Sequence, residues 1–77
     1  MEPLDILALA VADTTRKLDI GSTTVRIDNQ RRVVVVDGVP GLGAGRLLEA
    51  ALRQVRLQVE TKPVPGEAYY SVVVHPS

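Results

Sequence analysis

Cysteine, phenylalanine and tryptophan are absent from these 77 residues, and histidine occurs once. Without cysteine there can be no disulfide framework, no thiolate metal site and no thiol nucleophile. His75 alone cannot build an imidazole metal site. It is also the only candidate base for an activated Ser or Thr, and it stands at the end of the last strand-like segment. No nucleophile, base and orienting group come together in the pattern, so the chain reads as non-catalytic. The carboxylates Asp13, Asp19, Asp28, Asp37, Glu49, Glu60 and Glu67 do not recur at a ligand spacing, and no metal or cofactor is expected.

Long apolar runs are missing as well. The longest, residues 6–12, falls well short of the roughly 20 residues that cross a bilayer. Glu2 and Asp5 stand where a secretory signal would carry basic residues, which points to a soluble cytoplasmic protein. Nine basic and nine acidic residues cancel, so there is no excess positive field of the kind a general nucleic-acid binder shows. Lys17 and Lys62 are the only lysines, and the resulting bias towards arginine suggests a GC-rich genome, bacterial or phage.

What is present is a core of Val, Leu, Ile and Ala, with Tyr69 and Tyr70 as the only aromatics. A chain this short buries roughly 60% of its unfolded surface. Such a core seldom supplies more than about 3 to 5 kcal/mol without a staple. With disulfide and metal excluded, self-association is the staple that remains.

Pattern and punctuation divide the chain into six elements. Pro3 suits a helix's first turn, and residues 3–18 contain no later breaker, with Asp5 early and Arg16 and Lys17 late to suit the macrodipole. Gly21 is the expected stop. Residues 22–28 alternate, with Thr23, Val25 and Ile27 on one face, and residues 31–36 resume as a second strand across a turn at residues 28–30. Asp28 and Arg31 are expected to pair across that turn. The run Val33, Val34, Val35, Val36 is apolar on both faces, as in a central strand.

Residues 37–45 are expected to break the sheet and lead into a second helix from Ala44 or Gly45 to Gln54. Its apolar face would hold Leu47, Leu48, Ala51, Leu52 and Val55, and its polar face Arg46, Glu49, Arg53 and Arg56. Leu57, Val59 and Thr61 then alternate with polar neighbours, which predicts a third strand. No Gly or Pro separates it from the helix, so continuation of the helix through Glu60 stays open. A loop at residues 63–67 precedes a last strand, residues 68–75. The expected fold is one α+β domain over residues 1–77, order αββαββ, with a mainly antiparallel sheet and two helices packed on it.

Three functional readings follow. The first is a small non-catalytic binding module, a homodimer or a protein-binding accessory of a bacterium or phage, using helix 1. Leu4, Leu7, Val11 and Leu18 form a stripe within about 60° that docks the helix. Ile6, Leu9 and Ala10 project from the other side beside Asp13, and this charge-rimmed apolar patch is the candidate interface. The second is a phosphate-bearing ligand or nucleotide held at residues 38–46. There Gly41, Gly43 and Gly45 would form an anion cradle, and Arg46 at the helix start calls for a nearby negative charge. Neither a Walker A nor a GxGxxG motif is present. The third, disfavoured by interleaved acidic residues, is nucleic-acid binding through Arg26, Arg31 and Arg32 with Arg46, Arg53 and Arg56, and an outward tyrosine to stack on a base.

Overall fold

A computed structural model describes residues 2–76 and has the expected order αββαββ. Helix α1 covers Pro3–Leu18. Pro3 opens it without sacrificing a hydrogen bond, and the Asp5 carboxylate accepts from the Glu2 N–H at 3.2 Å. The stop comes two residues before Gly21. Asp19 takes the left-handed conformation, φ 52°, and its N–H reaches back to the Thr15 and Arg16 carbonyls. A short polar side chain tolerates that conformation, so the helix ends without glycine.

Strand β1 is Thr24–Asp28 and β2 is Val33–Val39. The expected Asp28–Arg31 ion pair is replaced by a backbone turn. Asp28 Oδ1 accepts from the Gln30 and Arg31 N–H groups at 3.1 Å each. Nor does the sheet break at Asp37. β2 runs on through Gly38 to Val39, with one extra residue between Val36 and Val39 relative to the neighbouring strand. That bulge needs Gly38, whose φ is +79° and whose missing Cβ would stand 2.9 Å from the Ser22 carbonyl oxygen. Its effect is to return Val39 to the helix side, where it is fully buried.

Helix α2 is Leu42–Arg53, with Gly41 as N-cap, so it starts earlier than Ala44. It does not continue through Glu60. Arg56 adopts φ 65°, the Leu57 N–H bonds back to the Leu52 carbonyl at 3.3 Å and the Arg56 N–H to that of Arg53 at 2.9 Å. This is a Schellman-type ending built on a non-glycine residue. Strand β3, Gln58–Pro63, begins directly after it, and β4 is Tyr70–His75.

All strand pairs are antiparallel and the sheet order is β1-β2-β4-β3. β2 and β3 both oppose β4, so they run parallel to each other, with α2 crossing over the inserted β4. Because β2 and β4 are the inner strands, their valines are buried on both faces. Val34, Val36, Val72 and Val74 face Leu4 and Val11 of α1 and Leu48 and Leu52 of α2. Val33, Val35 and Val73 form a separate cluster on the face without helices. α1 lies over β1 and β2, α2 mainly over β3 and β4. Among the described residues no helix is long and apolar enough to cross a membrane.

Candidate interaction surface

The docking stripe of α1 is placed as its periodicity requires. Leu4 and Val11 are buried, and Leu7 and Leu18 pack against the same core. The opposite side is open: Ile6 is 57% and Leu9 60% exposed, and Ala10 is exposed beside them. Asp13 is half-buried and holds Lys17 Nζ at 3.0 Å and Arg16 Nη2 at 3.3 Å. Lys17 and then Arg16 draw its carboxyl below the usual range. Asp13 is thus paired, and the rim beside the apolar residues keeps one net positive charge from Arg16 and Lys17.

Leu9 belongs to a wider surface. With Asp5, Ala8 and Ala12 of α1 and Val25 of β1 it lines a shallow groove between helix and strand. The groove extends past Thr15 and Arg16 to the segment that enters β1. β1 is an outer strand of the sheet, so the groove runs beside an unpaired strand edge. The sequence pattern could place Val25 and Leu9 on apolar faces, but not on one groove.

The anion cradle is placed differently. Gly41 is the N-cap, while Gly43 and Gly45 lie inside α2 and do not form a loop. Arg46 already has its counter-charge, since its Nη1 lies 3.1 and 3.0 Å from the two Glu49 oxygens. The arginine groups are dispersed too. Arg26 Nε is 2.7 Å from Asp37, Arg53 Nη2 is 3.4 Å from Glu49, and Arg31 and Arg32 sit in the hairpin turn. Both tyrosines are half-buried, and Tyr70 packs against the core.

Two carboxylates expected on solvated or turn positions turn out to be structural. Glu49, assigned to the polar face of α2, is buried, whereas Leu47 and Val55, assigned to the apolar face, are 57% and 64% exposed. The docked face is rotated towards Gly45, Leu48, Glu49 and Leu52. Thr61, Arg46 and Arg53 satisfy Glu49, and the Thr61 hydroxyl is the largest cause holding its carboxyl low. Asp37 accepts from Ser71 Oγ at 2.6 Å and from Arg26. Burial raises its carboxyl, but these two donors prevail and keep it below its ordinary value. The one sequence hint for Glu49 was the glycine four residues before it.

His75 is half-buried, with Nε2 3.8 Å from Glu60, and among the described residues no three metal-ligating side chains converge. Comparisons with protein-family models, curated proteins and solved structures give no match.

Proposed function

We propose that this chain is a non-catalytic interaction module that acts as a homodimer through the outer side of α1. The observation that carries this reading is Leu9, 60% exposed, at the mouth of an apolar groove in a domain that has no disulfide. Burying a second helix face offers a small core the stabilisation it otherwise lacks. A two-fold pair is the commonest closed arrangement for one surface meeting its own copy.

Light scattering across a concentration series tests the proposal. The wild type should be a dimer at high micromolar concentration. The double variant Ile6→Glu with Leu9→Glu should be a folded monomer with a lower melting temperature, because both side chains leave the monomer core untouched. Leu7→Glu, on the docked side, should not fold. A wild type that stays monomeric at high micromolar concentration refutes the homodimer.

A further inference from the structure

We infer that the second copy docks along β1, joining two four-stranded sheets into one antiparallel sheet with the two α1 helices over the seam, a pairing mode that rests on the self-association proposed above. The sheet has two outer strands, and they are not alike. β3 is blunted: Arg53 Nη2 donates to the Val59 carbonyl at 3.2 Å, Lys62 lies on the strand, and Pro63 ends it without an N–H. Such features are how folded proteins protect a sheet edge from pairing. β1 has no proline. Among the described residues no side chain or loop hydrogen-bonds the backbone of residues 24–27 from outside the sheet. Its central side chain, Arg26, is drawn inward over β2 by Asp37 and so does not shield the edge.

The surface beside that edge suits a second copy. Ala8 and Ala12 are small enough to let another helix approach, and Leu9 supplies apolar area next to Val25. Charge selects the register. A two-fold pair of β1 strands must centre on one residue, which then faces its own copy, and opposed residues share a face of the sheet. Centring on Arg26 sets each arginine against its own copy, and centring on Val25 sets Arg26 against Thr24, so in neither register do opposite charges meet. Centring on Ile27 opposes Arg26 to Asp28 of the other copy, and Asp28 to Arg26. It brings the two Ile27 side chains together on the helix face, where each already packs against its own core. The chain is therefore self-complementary in charge and polarity about Ile27.

Because the chain has no cysteine, single thiols report this register directly. Opposed residues in an antiparallel pair have Cα atoms about 4.5 to 5.5 Å apart, within disulfide reach. Arg26→Cys and Asp28→Cys should each stay uncrosslinked alone under mild oxidation. Mixed in equal amounts, they should form a covalent heterodimer. Ile27→Cys should crosslink with itself, and Leu47→Cys, exposed on α2, should not. Circular dichroism melts confirm that each variant is folded, and the Arg26 and Asp28 pair leaves the helix-facing layer intact should Ile27→Cys fail to fold. If light scattering shows a wild-type dimer but the mixture does not crosslink, the β1 seam is wrong while self-association stands. Rapid crosslinking of Arg26→Cys alone overturns the Ile27 register. A monomeric wild type removes both.

Discussion

The Thr61 hydroxyl donates to the Glu49 carboxylate, tying the middle of α2 to the middle of β3 at a point where the helix has no side chain in between. Gly45 makes that contact possible. A Cβ built there would stand 2.7 Å from Thr61 Cγ2 and 3.1 Å from its hydroxyl oxygen. Glu49 is 2% exposed yet fully partnered, by Thr61 on the sheet and by two arginines whose heads are 67% and 60% exposed. Arg46 and Arg53 lie on the same helix and turn with Glu49, so Thr61 is the donor that ties this rotation of α2 to the sheet.

Glu49→Gln is therefore expected to destabilise the fold by about 1 to 3 kcal/mol, the range for losing charge-assisted hydrogen bonds. The larger cost of orphaning a buried ion should not apply, since Arg46 and Arg53 can turn to solvent. Urea denaturation followed by circular dichroism measures it.

Acid should act through the same group. The folded-state pKa of Glu49 is depressed below its ordinary 4.5, and that of Asp37 below 3.8. A depressed carboxyl stabilises the fold above its unfolded pKa and ceases to do so as pH falls through the folded one. Stability should hold steady above pH 4.5 and decline progressively below it. In Glu49→Gln part of that decline should vanish. Urea midpoints at intervals between neutral and strongly acid pH decide the matter, and an unchanged acid slope in the variant would count against the assignment.

Gly45→Ala and Gly43→Ala should move stability in opposite directions, although both replace glycine in one helix. At Gly43 nothing lies within 4 Å of the new Cβ, so the gain is up to about 1 kcal/mol from restricting the unfolded chain. At Gly45 overpacking against Thr61 should cost about 1 to 3 kcal/mol. Adding Thr61→Ser, which removes the clashing methyl but retains the hydroxyl, should recover part of the loss. Thermal melts of the three variants make the comparison.

Arg56→Gly is expected to stabilise. Its φ of 65° is a conformation that costs an L-residue roughly 1 to 2 kcal/mol and costs glycine nothing. Glycine's greater freedom in the unfolded chain offsets part of this, leaving a net gain below about 1 kcal/mol. The melting temperature should rise by a few degrees. A fall would show that the arginine side chain contributes to the helix ending.

Ser71→Ala should cost about 1 kcal/mol, because it removes one of the two donors to Asp37, whose side chain is 30% exposed and can recruit water. Arg26→Ala should cost less, since that side chain is 53% exposed and its ion pair is screened. A double-mutant cycle gives the coupling between the two donors.

The amino-acid sequence by itself determined the fold class and the order of elements it favoured, while the end of α2 and the start of β3 stayed open. Pro3, the stripe Leu4, Leu7, Val11 and Leu18, the alternation of Val25 and Ile27, and the doubly apolar Val33 to Val36 run each express a local periodicity, and periodicity is what sequence records. It likewise marked Ile6 and Leu9 as apolar residues off the docked stripe. Tertiary structure alone decided the rest. Gly38 reads as a strand breaker until the bulge and the nearby Ser22 carbonyl are seen. Gly43 and Gly45 read as loop until α2 is found to start at Leu42. Glu49 reads as solvated because helix projection takes Leu47 and Val55 for the apolar face, whereas Thr61, twelve residues away, supplies the donor that makes burying a carboxylate tolerable. The groove is of the same kind, since Leu9 and Val25 line it together only because α1 settles over the outer strand. Partners distant in sequence leave no periodic trace, and their free energy appears only when the chain brings them within hydrogen-bonding or packing distance.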